Sequence, residues 1–274
     1  MTIAAAYLTS EGVVLGADST TTISSGGGVV QLLNHAQKVY EIGEGTSFGF
    51  CTFGAGRVGT LSHRTIGAIL GDWLVEQTKP VTTSDVSKRL VGIVAAQPKI
   101  NTPLGYFVGG IDPGRTPACV ELTFEHDSKK KPPTKASMTL FKVGETRYRG
   151  APDYFTRIFH GFAQGLPQAI CDALRQSLSK QKQLPPNFEA TFKSAFDSVR
   201  GQFASLGATD LPLREAIDYV HTYLAATIKA LKFRFGPPIC GGPVEIAYIS
   251  TDRSFRWACH KSFESAMSEH REGA

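Results

Sequence analysis

The chain has 274 residues, 42% of them hydrophobic and 19% charged, which fits one large folded domain or two small ones and excludes a disordered chain. Its net charge of +5, from 29 Lys and Arg against 24 Asp and Glu, supplies no broad basic face for nucleic acid, and no apolar run approaches the roughly 18 residues of a membrane helix. Five scattered cysteines (Cys51, Cys119, Cys171, Cys240, Cys259) form no CxxC pair, so the sequence predicts reduced thiols, no metal site and no disulfide framework.

Read in chain order, the first third is β structure. Ile3–Leu8 and Val13–Leu15 flank Thr9-Ser10-Glu11-Gly12 and read as a hairpin. Ser24 to Gly28 breaks the chain; Val29–Leu33, Lys38–Ile42 and Ser47–Phe53 read as further short strands of an antiparallel sheet. Ile66, Ile69, Leu70, Trp73 and Leu74 lie on one helical stripe, and Ser84 is placed to cap a second helix with Val86, Leu90, Val91 and Val94 inward. Strands return at Leu104–Gly110 and Ala118–Glu125, with Gly109–Gly114 as the turn, and at Thr134–Val143. The basic run Lys129–Lys131, beside Pro132-Pro133 and without interleaved aromatics, reads as a solvated loop tip. Helices are predicted at Tyr154–Leu178, Phe188–Phe203 and Leu213–Leu231, then a closing hairpin at Val244–Ile249 and Phe255–Cys259. The order predicts an α+β fold of two antiparallel sheets with outer helices. It makes one domain over residues 2–263, with an enlarged helical region at 152–235 and a tail at 264–274.

The chemistry is concentrated near the start. Met1 precedes Thr2, a small residue of the kind left exposed when the initiator Met is removed, and residues 1–12 carry no Lys or Arg of a secretory signal. A terminal Thr would carry a hydroxyl and an α-amine of pKa near 8 on one residue, the Thr–amine form of an activated nucleophile. Asp18 is the first Asp, and Lys38 is the only Lys before residue 79. A hairpin loop of Thr9–Glu11 would set Thr2 across from Asp18, so that hydroxyl, carboxylate and ammonium converge. The competing reading has Asp18 capping a turn and Lys38 on the surface.

Thr2-Ile3-Ala4, Gly16-Ala17-Asp18-Ser19, Lys38-Val39-Tyr40-Glu41-Ile42 and Gly54-Ala55-Gly56 together resemble the β-type subunits of the proteasome and the HslV-like bacterial peptidases. Val108–Asp112 looks like that family's G-G-x-D turn, and Gly241–Ala247 like its last-sheet segment. The resemblance covers residues 2–112 well and 215–260 loosely. It implies an N-terminal-nucleophile hydrolase with a four-layer αββα sandwich. Thr2 would be the nucleophile, Asp18 and Lys38 its charged partners, and Gly56 the N–H donor to the oxyanion. Thr22 would pair with the substrate strand and Thr21 would line a specificity pocket. It also implies a cytoplasmic homo-oligomeric ring acting on peptides or proteins without a cofactor, served by an unfolding ATPase if folded proteins are degraded; the chain has no phosphate loop of its own. With only Met1 ahead of Thr2, maturation as in the HslV-like members is expected. The family's supporting Ser and Asp are missing from Arg149–Pro152 and Arg234–Pro237, which admits a catalytically inactive scaffold as an alternative. A third reading takes Gly54, Gly56 and Gly59 as a GxGxxG dinucleotide loop. It is opposed by the antiparallel hairpins upstream and by the position of Asp72 and Glu76 within a predicted helix.

Overall fold

A computed structural model of the chain describes residues 2–25, 28–97, 103–126, 134–151, 154, 157, 161–163, 165–180, 185–203, 210–233, 235 and 240–261. Met1, the Lys129–Lys131 run, Pro152, Arg234, Gly236-Pro237 and the tail at 264–274 lie outside the described residues. The chain divides into two compact units, one of Met1–Gly150 with Ala208–Ala274 and one of Ala151–Gly207.

The first unit is mixed α and β, and its strand pairs are antiparallel. Strands β1 (Ala4–Leu8), β2 (Gly12–Ala17), β10 (Thr146–Arg149), β11 (Glu245–Ser250) and β12 (Arg253–Cys259) form a five-stranded sheet in the order β10-β1-β2-β11-β12. Strands β5 (Val39–Glu41), β6 (Phe48–Gly54), β7 (Leu104–Asp112), β8 (Thr116–His126) and β9 (Thr134–Leu140) form a second in sequence order. Strands β3 (Thr21–Ser25) and β4 (Gly28–Leu33) make a separate hairpin. Among the described residues the helices are α1 (His63–Val75), α2 (Thr83–Ala95), α3 (Leu166–Lys180), α4 (Phe188–Phe203) and α5 (Leu213–Lys232).

The two large sheets share a core. Ala4, Leu8, Val13 and Leu15 of the first pack with Cys51, Phe53, Phe107 and Cys119 of the second. Each large side chain buried there contributes roughly 1.5–3 kcal/mol. The second sheet's other face is covered by α1 and α2 through Ile66, Leu70, Val86 and Leu90. Strand β2 is buried along its whole length because α5 covers its other side. A Cβ at Gly16 would come within 2.8 Å of Val220 and 2.9 Å of Leu224, so glycine here lets the helix approach.

Several boundaries differ from those predicted. Gly109 and Gly110 lie inside β7, not in a turn. A Cβ at Gly109 would meet Val13 at 2.7 Å and one at Gly110 would meet Phe48 at 2.3 Å, so close packing required these glycines. Helix α2 is capped by Thr82, whose hydroxyl and Asp85 form a reciprocal capping box, and Ser84 sits within the helix. Asp112, the last residue of the G-G-x-D stretch, accepts from the Thr83 N–H at 2.6 Å and its hydroxyl at 2.7 Å. Strand β10 has no counterpart in the predicted elements.

In the second unit α4 matches its predicted span. Within the single helix expected over Tyr154–Leu178, Tyr154 and Arg157 are helical, Gly161 has a left-handed φ of +75°, and α3 covers Leu166–Lys180. Phe162 meets Phe196 edge to face at 5.4 Å, and Arg175 pairs with Glu189. No helix among the described residues is long and apolar enough to cross a membrane.

Candidate active site

Thr2 precedes β1, at the end of the first large sheet. Strand β10 runs beside it, and Gly150 just after that strand has a φ of +83°. A Cβ on Gly150 would lie 1.8 Å from the Thr2 carbonyl oxygen, so the missing side chain makes room for the Thr2 backbone. Thr2 itself is 8% exposed.

The register of the first hairpin differs by one residue from the expected one. Leu8 pairs with Val13 and Ala4 with Ala17, and the Asp18 N–H donates to the Ile3 carbonyl at 3.1 Å. Asp18 therefore stands opposite Ile3, not Thr2. The cause is local. The Thr9 hydroxyl accepts from the N–H groups of Glu11 and Gly12, each at 3.0 Å, and the Thr9 N–H donates to the Gly12 carbonyl at 2.8 Å, so the turn closes around Ser10-Glu11 with Gly12 already in β2.

The carboxylate is nonetheless recruited to the same end of the sheet. Its Oδ1 accepts from the Ile3 N–H at 3.0 Å and from the Lys38 ammonium at 2.6 Å. Its Oδ2 accepts from the N–H groups of Thr20 at 3.2 Å and Gly241 at 3.1 Å. Four donors thus satisfy a fully buried carboxylate. The Gly241-Gly242 segment thus contributes a backbone amide to this anion.

Lys38 directly precedes β5, and its carbonyl is held by the Thr52 N–H at 2.9 Å. Its Nζ donates to Asp18 and to the Thr20 carbonyl at 2.5 Å. Burial pushes the Lys38 ammonium below the ordinary lysine value; Asp18 opposes this and Lys261 adds slightly to it. Lys38 is thus a charge held by one carboxylate and poised to lose a proton more readily than a surface lysine.

Thr2, Thr20, Thr21, Thr22, Lys38 and Gly56 all line one cleft of about 160 Å³. Asp18 is not part of its wall; it lies behind Lys38, fully buried. Thr21 and Thr22 open β3 and are half-buried. Gly56 follows the tight turn at Gly54, whose φ of +88° and 2.0 Å approach to the Pro103 carbonyl admit only glycine. Gly56 itself is exposed, and a Cβ there would meet nothing within 4 Å, so that wall of the cleft is open.

Two groups at the site gave no sequence signal. His63 opens α1 and also lines the cleft; nothing in the sequence separates a buried histidine from a surface one. Glu245 opens β11, is fully buried and faces the back of the site. Its Oε1 pairs with Lys261 at 3.2 Å and His260 at 3.0 Å, and its Oε2 accepts from the Lys38 N–H at 3.4 Å. Lys261 also donates to the Ala36 carbonyl at 2.8 Å and the Ser19 hydroxyl at 3.2 Å. A second ion pair therefore backs the Asp18–Lys38 pair. Among the described residues no group of three or more His, Cys, Asp or Glu is arranged to hold a metal ion.

The arrangement offers, in one cleft, a threonine hydroxyl, the ammonium of a buried ammonium–carboxylate pair and a glycine amide. That combination suits nucleophilic attack on a carbonyl. No protein-family model and no curated protein matches this sequence, so the functional reading rests on this geometry and on the motif pattern.

Proposed function

We propose that the chain is an N-terminal-nucleophile hydrolase, a threonine-type endopeptidase of the kind formed by proteasome β-type subunits and HslV-like peptidases. The observation that carries this reading is the gathering of Thr2, Lys38 and Gly56 around one cleft, with Asp18 2.6 Å from the Lys38 ammonium. Packing of α5 on the first sheet, of that sheet on the second, and of α1 and α2 on the second supports the four-layer αββα sandwich that this reading implies.

In the mechanism, removal of Met1 frees the Thr2 amine. The amine takes the proton of Thr2 Oγ, directly or through one water, while the Lys38 charge lowers the proton affinity of both groups. Oγ forms a bond to the peptide carbonyl carbon, and the carbonyl electron pair moves to oxygen, to which the Gly56 N–H donates a hydrogen bond. The intermediate collapses, the C–N bond breaks, and the protonated Thr2 amine gives its proton to the departing nitrogen. Water then attacks the ester, with the Thr2 amine again as base, and restores Oγ–H. Thr21 and Thr22 border the cleft where an extended substrate would lie. On this reading the chain works as a cytoplasmic homo-oligomeric ring, supplied by an unfolding ATPase when its substrates are folded.

The inactive-scaffold reading is favoured by one observation: Gly150, beside Thr2, offers no hydroxyl where the family carries its supporting Ser. Turnover of fluorogenic peptides separates the two. The proposed enzyme cleaves them and Thr2→Ala does not; equal, background-level rates for both proteins would leave the scaffold. The dinucleotide reading lacks its frame, because β6 is antiparallel to β5 and β7 and α1 begins four residues after Gly59.

A further inference from the structure

Ala55 and Gly56 share one peptide unit, with the Ala55 carbonyl at one end and the Gly56 N–H at the other. A trans peptide is planar, so fixing the direction of the carbonyl fixes that of the N–H. Both polar groups of Ala55 are fixed. Its N–H donates to the Pro103 carbonyl at 2.9 Å, and its carbonyl lies 2.9 Å from His63 Nε2. Among the described residues the Gly56 N–H has no intramolecular acceptor, which leaves it available to the cleft.

The partners of His63 assign its tautomer. A carbonyl oxygen only accepts, so Nε2 carries the proton. Burial holds the ring below the ordinary histidine pKa of 6.5, so at neutral pH Nδ1 is bare. The Tyr106 hydroxyl, 3.1 Å from Nδ1, is then the donor; burial pushes that phenol far up, so it keeps its proton. Tyr106 is fully buried in β7, and His63 is 4% exposed. The chain of donors runs from the Tyr106 hydroxyl through His63 to the Ala55 carbonyl and on to the Gly56 amide, each bond polarising the next.

We propose that His63 is a positioning residue: backed by Tyr106, it aims and polarises the Ala55–Gly56 peptide so that the Gly56 N–H points at the oxygen of the substrate carbonyl under attack. The proposal rests on the hydrolase reading above and goes beyond it by naming what orients the oxyanion donor. A donor that acts on charge present only in the transition state changes kcat and leaves KM nearly unchanged.

The test compares wild type, His63→Leu, His63→Gln and Tyr106→Phe, using peptide turnover and the amide spectrum of protein labelled with [15N]glycine. His63→Leu is expected to lower kcat about 10- to 100-fold with KM within about twofold, and to shift the Gly56 amide resonance. His63→Gln keeps an N–H donor for the Ala55 carbonyl and should recover most of both. Tyr106→Phe should fall between wild type and His63→Leu. A fall in kcat no larger than the fall in folded protein, a rise in KM alone, or equal losses in the Leu and Gln variants would overturn the proposal. If His63→Leu does not fold, the imidazole 15N shifts of wild type decide: a proton on Nε2 supports the relay, and a proton on Nδ1 overturns it. A wild type that cleaves no peptide would instead refute the hydrolase reading. The Gly56 resonance still tests the relay in that case, and a resonance unmoved in His63→Leu would reject it.

Discussion

Desolvating an ammonium as deeply buried as that of Lys38 costs several kcal/mol, which only a close and well-bonded counter-charge offsets. Asp18 supplies it at 2.6 Å. Asp18→Asn is therefore expected to lower stability by about 3–5 kcal/mol by stranding the Lys38 charge, and Asp18→Asn with Lys38→Met should recover much of that loss. Urea denaturation of the single and double variants checks this; an additive double variant would show that the pair is not coupled. Gly150 gives a second prediction. Gly150→Ala puts a methyl group 1.8 Å from the Thr2 carbonyl oxygen at a φ of +83°, so it should cost peptide turnover at least about tenfold and also lower the melting temperature. Gly56→Ala, by contrast, meets no atom of the chain within 4 Å and should leave the melting temperature unchanged. The residue types at the site were legible because Thr2, Asp18 and Lys38 stand in a recognisable pattern. His63 and Glu245 were not, since their roles come from burial against elements distant in sequence.

At the scale of elements, the strands and helices that bury a periodic apolar face were readable from the sequence. Helix α4 and the closing hairpin of β11 and β12 follow from spacing and breakers alone. What was not readable depended on single hydrogen bonds or on packing. The turn that the Thr9 hydroxyl closes around Ser10-Glu11 shifts the register of the first hairpin by one residue. Spacing alone does not separate this side-chain turn from a three-residue loop at Thr9–Glu11. Gly109 and Gly110 look like a turn in sequence but serve the contact between layers. Strand β10 is only four residues long, and three of its side chains are charged or phenolic; it is held by pairing with β1 and by Arg147 and Arg149 on the buried Glu121. The cap of α2 yields a prediction here. Thr82→Ala removes the hydroxyl that accepts from the Asp85 N–H at 3.2 Å and should cost about 1 kcal/mol in thermal or urea unfolding, without altering activity.

For the whole molecule, the first unit carries every residue assigned to the site, from Thr2 near its start to Glu245 and Lys261 near its end. That places the ends of a long sequence in one cluster, so chemistry and folding of this unit are linked. The pH dependence of stability follows from His63. Its folded pKa lies below 6.5, so the native state favours the neutral ring. That contribution is fully present above about pH 6.5 and is lost as pH falls through the window below it. The melting temperature is expected to fall between about pH 7 and about pH 5, and His63→Gln should flatten the slope. An identical slope in the variant would remove His63 from this account.

The central claim is that Thr2, once Met1 is removed, is the nucleophile and its own base. A peptide epoxyketone captures a hydroxyl and an amine on the same residue, so intact mass before and after exposure tests both groups together. The account predicts loss of Met1 and one adduct that maps to Thr2 and is absent from Thr2→Ala. Met1-free protein that gains no adduct and cleaves no peptide would contradict it.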